Sequence, residues 1–224
     1  LCLESRWSMV DAAFLGMIFP LIFLILMLKG ENRLLMAFFA WGLVAFMVSM
    51  TLNNWLAAGF QITFRQLTVT WAPLIEEFLK SLPSLYFLLR SRSTRYSVIY
   101  FAMASGIGFS ILENFSYLLN LMESVGSLAF YMVIRSLTTC LMHGMASAIV
   151  GYGISFIRQY RIMVFPLLFG LFTLSVTIHS LFNLYINSEI LLVRLIAMVI
   201  PFILYILGLM LLEGEGLEDG GTAL

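Results

Sequence analysis

Two carboxylates and an amine, Glu76, Glu77 and Lys80, interrupt a stretch that otherwise has the composition of a membrane span: Trp71-Ala72-Pro73-Leu74-Ile75-Glu76-Glu77-Phe78-Leu79-Lys80. A charge at the bilayer centre costs about 2.5–3.5 kcal/mol on insertion scales, so ionisable groups at that depth mark function by default. A Glu76–Lys80 pair, one helical turn apart, would neutralise itself but would leave Glu77 over. Three more ionisable residues lie in other apolar runs: Glu113, His143 and His179, the last two being the only histidines in the chain. Three carboxylates and two imidazoles in a low-dielectric pocket suit hydrolysis by activated water. One carboxylate takes the proton of water and returns it to the leaving amine. Histidine or asparagine donors stabilise the developing oxyanion. In a second route Glu77, Glu113, His143 and His179 hold a divalent metal, zinc first among the candidates, which acidifies its water. No His-Glu-x-x-His motif is present, and both routes stay open. Cys140, one turn before His143, reads as a packing residue rather than a nucleophile.

Each of these groups has polar company at helical spacing. Gly106, Ser110, Glu113 and Tyr117 share one helix face, as do Arg135, Thr139, His143 and Ser147, and again Ser175, His179 and Asn183. Lys80, Asn114, Arg135 and Asn183 are expected to support the five central residues. Neighbours on a helix point about 100° apart. One of Glu76 and Glu77 is therefore expected to do the chemistry while the other pairs with Lys80 or Arg135. The plainer readings are that the glycines serve packing, that Arg135 reaches to the interface, and that a histidine in a bundle is a satisfied packing residue.

The elements that must position these groups are membrane helices. The chain has 224 residues, 62% hydrophobic and 11% charged, against about half apolar and a quarter charged in soluble domains. No basic patch offers itself to nucleic acid. Cys2 and Cys140 make no disulfide framework. Apolar runs fall near 9–28, 34–58, 67–89, 96–121, 129–156, 162–187 and 190–212. The expected fold is an all-α polytopic transmembrane bundle of about seven spans, a single domain over 1–212, with a flexible acidic tail at 213–224. The first run shows no cleavage site and reads as a retained span. Lys29, Arg33, Arg90, Arg92, Arg95, Arg158 and Arg161 all fall between spans on one side, which predicts a cytoplasmic face there, the N-terminus outside and the C-terminus inside. At 1.5 Å per residue the five central groups lie about 12–21 Å from the outer ends of their spans, at similar depth in the outer half of the membrane.

Glu76-Glu77-x-x-Lys80, Gly108-Phe109-x-x-x-Glu113-Asn114-x-x-Tyr117, Arg135 with His143 eight later, and His179-Ser180-x-x-Asn183 occur in this order, each on its own span. The pattern resembles the PrsW family of intramembrane proteases, which is related to the CAAX prenyl proteases and more distantly to a multi-span subunit of γ-secretase. The resemblance covers about 65–185. It implies a membrane endopeptidase whose two glutamate motifs and two histidines form the active site. It further implies membrane-anchored substrates of the anti-sigma-factor kind, cut near the outer face of a prokaryotic plasma membrane. Asn183 stands where some relatives have Asp, and Asn53 and Asn54 match no motif. Two other classes fit the same residues: a catalytically silent scaffold that binds a membrane partner, and a proton or cation carrier. The carrier would need a polar path to both faces, and the cytoplasmic half of each span is nearly all apolar.

Overall fold

A computed structural model of the chain describes residues 14, 21–90, 95–121, 128–157 and 160–220. Every regular element among them is helical. The long helices are α1 (Gly30–Phe60), α2 (Ala72–Arg90), α3 (Arg95–Leu121), α4 (Leu128–Ile157), α5 (Val164–Ile186) and α6 (Leu191–Gly220). Five stretches are long and apolar enough to cross a membrane: Gly30–Phe60, Tyr96–Leu119, Phe130–Ile157, Val164–Ile186 and Leu191–Leu211. The third expected span, 67–89, is also helical, but Glu76, Glu77 and Lys80 take it outside that apolar class. The first expected span, 9–28, lies mostly outside the described residues, although 21–27 are helical. The last helix runs on to Gly220 through most of the stretch expected to be a flexible tail.

Helix α3 sits at the centre, and small residues let its neighbours approach to backbone distance. A Cβ at Gly42 of α1 would overlap the Ser105 carbonyl, and one at Gly108 would overlap the Phe39 carbonyl. On the other side a Cβ at Gly106 would overlap the carbonyl of His143 in α4. Close approach through small residues is how helices pack where lipid removes the usual hydrophobic gain. Phe38, Val98, Phe101 and Ile154 fill the core toward one end. Leu43, Phe46, Phe109 and Leu112 fill it nearer the polar cluster.

The path into α2 is irregular, and its two prolines explain how it is held. Helix α1 ends at Gln61 in a left-handed conformation, φ 51°. A Thr63–Gln66 capping box then opens a short turn, followed by a π-helical stretch, Leu67–Trp71. In that register the Ala72 N–H bonds the Leu67 carbonyl, so the Thr68 carbonyl would look to residue 73. That residue is proline and has no N–H. Asn183 Nδ2 of α5 donates to the Thr68 carbonyl instead, at 2.9 Å. Pro83 repeats the problem one element later, because its missing N–H would have met the Leu79 carbonyl. Trp41 Nε1 of α1 donates there at 2.8 Å. Ser105 Oγ of α3 donates to the next carbonyl, Lys80, at 3.1 Å. Side chains from α1, α3 and α5 thus grip the backbone of the helix that carries Glu76, Glu77 and Lys80.

Candidate active site

Helix α2 places Glu77 and Lys80 on its buried face, with no side-chain exposure, and Lys80 Nζ donates to Glu77 Oε1 at 2.6 Å. The pair is Glu77–Lys80, at i,i+3, not the Glu76–Lys80 pair that the spacing also allowed. Lys80 Nζ reaches on to His143 Nδ1 of α4 at 2.9 Å and lies 4.8 Å from the centre of the Phe109 ring. An ammonium can only donate, so Nδ1 of His143 accepts and its proton sits on Nε2. That Nε2 donates to Glu113 Oε2 of α3, at 2.9 Å.

The same logic fixes His179 of α5. Its Nδ1 donates to Glu77 Oε1 at 2.8 Å, so its Nε2 lone pair points away, toward Glu76. Ser175, one turn earlier on α5, lies 3.0 Å from Glu77 Oε2 and 2.8 Å from the Ala146 carbonyl. Glu77 therefore has a donor within reach of each oxygen. Glu76 does not. Its Oε2 is buried with no hydrogen-bond partner among the described residues and lies 3.6 Å from His179 Nε2. With Glu76 ionised, two acceptors face each other there, and a cation or a proton between them would satisfy both.

These contacts bring all five central residues into one cluster drawn from α2, α3, α4 and α5. The two imidazole rings meet edge to face, with centroids 4.8 Å apart. Glu76, Glu113 and His143 line a cavity of about 520 Å³. Arg135 lies at its wall, Nη2 3.6 Å from Glu113 Oε1 and the guanidinium 3.4 Å over the Tyr117 ring.

The structure assigns distinct positions to the supporting residues. Lys80 bridges the two halves of the cluster. Asn114 accepts from Thr139 Oγ1 at 2.9 Å, which ties α3 to α4 right beside Glu113 and one turn before His143. Asn183 holds the π-helical backbone through Thr68. Cys140 is a half-buried free thiol. Asn53 is buried, with Oδ1 unpartnered among the described residues, and Asn54 is exposed; neither lines the cavity. Ser175 was not singled out as a site residue, although its i−4 spacing to His179 was visible.

Part of this donor set could hold a divalent metal. Ligand atoms of Glu76, His143 and His179 all lie within 4.8 Å of one another. Glu76 and His179 fit as they stand: an orphaned carboxylate oxygen faces an imidazole whose other nitrogen is anchored by a carboxylate, the usual support for a metal-bound histidine. His143 fits only in its other tautomer, with the proton on Nδ1 and Lys80 accepting it as the neutral amine, which turns the Nε2 lone pair from Glu113 to the metal. Glu77, expected among the ligands, is instead engaged by Lys80, His179 and Ser175, and Glu76 stands in the position expected for it.

A family model described as PrsW family intramembrane metalloprotease matches residues 30–209, most of the chain and all of the cluster. No curated protein and no solved structure matches the chain.

Proposed function

The chain belongs to the PrsW family of intramembrane metalloproteases, and on that premise we propose that it hydrolyses a peptide bond of membrane-anchored proteins at the Glu76–Glu113–His143–His179 cluster. The observation that carries this reading is the buried, unpartnered Glu76 Oε2 facing His179 Nε2 at 3.6 Å. Structural polar groups at such depth are paired; a carboxylate held unpaired beside an imidazole lone pair is arranged for a cation or a reacting proton.

Glu76, His179 and His143 would hold the metal, and zinc suits an oxygen–nitrogen set of this kind. A divalent ion supplies a Lewis acid that acidifies water and polarises the scissile carbonyl. Glu113, with its side chain 19% exposed at the cavity wall, takes the proton of the attacking water and returns it to the leaving amine. Glu77 fixes the ring of His179 and keeps its proton on Nδ1. Lys80 balances the Glu77 charge and orients His143. The packed helices keep bulk water from the cluster, which strengthens each of these electrostatic contacts.

In this reading the protein has seven spans, with the stretch near 9–28 as the first and α2 as the third. The basic loops face the cytoplasm, so the N-terminus is outside and the C-terminus inside. The site then lies in the outer half of a prokaryotic plasma membrane. Substrates are single-span proteins of the anti-sigma-factor kind, cut near the outer face.

The test is cleavage of a single-span reporter peptide by purified protein in lipid nanodiscs. Wild type should release the outer fragment, and Glu76→Gln, Glu113→Gln and His179→Ala should not. Cleavage undiminished in all three variants would sink the assignment.

A further inference from the structure

We propose that the cavity mouth binds a substrate carboxylate, an acidic side chain on the outer flank of the cleaved span, through Arg135 and Arg194. The starting observation is where the arginines lie. The catalytic cavity adjoins a second cavity of about 640 Å³, and Thr68, Asn183 and Asn187 line both. Arg135 and Arg194 line the first cavity and Arg65 lines the second. Among the described residues, every arginine toward the outer ends of the helices therefore borders this one continuous groove. Glu189 shares the outer cavity with Arg65. No comparable acid answers Arg194, which is exposed at the start of α6 and makes no ion pair with a described residue.

Arg135 has the form of a prepared receptor. Stacking on Tyr117 fixes the guanidinium plane. Its Nη2 is 3.6 Å from Glu113 Oε1, beyond hydrogen-bond distance. Its Nε is buried with no hydrogen-bond partner among the described residues. A guanidinium presents five donors in a fixed fork that matches a carboxylate, and here that capacity is largely unused. A buried donor left unpaired costs about 1–3 kcal/mol, so an arriving carboxylate would find donors that are oriented and poorly satisfied. Arg194, on α6, lines the same cavity and adds a second positive charge to its wall. The two carboxylates deeper in the cavity, Glu76 and Glu113, would repel an acidic group that entered too far. An acid on the substrate would thus be held at the rim and would set which peptide bond reaches the cluster.

The identification of the bound group as part of a substrate rests on the protease reading above; its charge preference does not. The experiment therefore reads binding and cleavage separately. Single-span Leu/Ala peptides with Asp, Asn or Lys on the outer flank are titrated onto wild type and Arg194→Glu in nanodiscs, by fluorescence anisotropy, and the same peptides are assayed for cleavage. Wild type should bind the Asp flank about tenfold more tightly than Asn, with Lys weakest, and Arg194→Glu should invert the order. Where cleavage occurs the preference should appear in KM rather than kcat. Equal affinity for the three flanks, or an unchanged order in Arg194→Glu, overturns the proposal even if every peptide is cut. A charge preference in binding with no cleavage supports the carboxylate site and counts against the protease reading alone.

Discussion

His179 Nδ1 donates to Glu77 Oε1 across 2.8 Å, and the same oxygen accepts from Lys80 Nζ at 2.6 Å. One carboxylate oxygen therefore sets the tautomer of a histidine and neutralises a buried ammonium. Glu77→Gln keeps the shape but loses the charge that serves both partners. It should lower metal affinity or cleavage about 10- to 100-fold, the usual effect of removing a residue that supports a metal-bound histidine. Isothermal titration with zinc and a cleavage assay on the same preparation measure the two effects.

Lys80 and Glu77 are both fully buried at their side chains. Lys80→Met should destabilise the protein by about 3–5 kcal/mol, because it leaves Glu77 charged and uncompensated. The double variant Lys80→Met/Glu77→Gln should recover much of that loss. Unfolding by SDS titration, followed by tryptophan fluorescence, gives the four corners of the cycle. Strict additivity would mean the pair does not act as a unit.

The carbonyls freed by Pro73 and Pro83 give a matched pair of tests. Asn183→Leu strands the Thr68 carbonyl and Trp41→Phe strands that of Leu79. Each should cost about 1–3 kcal/mol of stability. Asn183→Leu should also lower cleavage, since it releases the backbone four to nine residues before Glu77, whereas a direct catalytic role for Asn183 would abolish cleavage with stability unchanged.

Gly106 faces the His143 carbonyl with no room for a Cβ. Gly106→Val must push α3 and α4 apart, a strain of about 1–3 kcal/mol, and with them the Glu113–His143 contact. Gly170, whose Cβ would meet nothing, serves as the control: Gly170→Val should leave cleavage and stability near wild type.

Much of this arrangement was legible in the residues, and the part that was not has a physical cause. Ionisable groups stand out in apolar runs, so Glu76, Glu77, Glu113, His143 and His179 were found without coordinates. The i,i+4 stripes on α4 and α5 gave their common faces. Spacing along one helix could not say which lysine partner wins, because positions three and four before Lys80 are both in reach. The choice of Glu77 is made by His179 and Ser175 on another helix. The same limit hid the part played by Asn183. Its partner is a carbonyl exposed by a π-helical register, and side-chain patterns carry little trace of backbone register. The expected span at 67–89 is real as a helix, but its polar residues are supported by contacts across the bundle rather than by its own composition.

On the proposed reading, Glu76 and His179 form a metal-holding, water-activating pair. Bound metal and peptide cleavage, measured together on wild type and Glu76→Gln in nanodiscs, test it most directly. Wild type should hold about one divalent ion per chain, lose ion and cleavage together on chelation and regain both with zinc, and Glu76→Gln should show neither. Wild type that cleaves at full rate without metal and in excess chelator, or Glu76→Gln that retains both ion and cleavage, would contradict it.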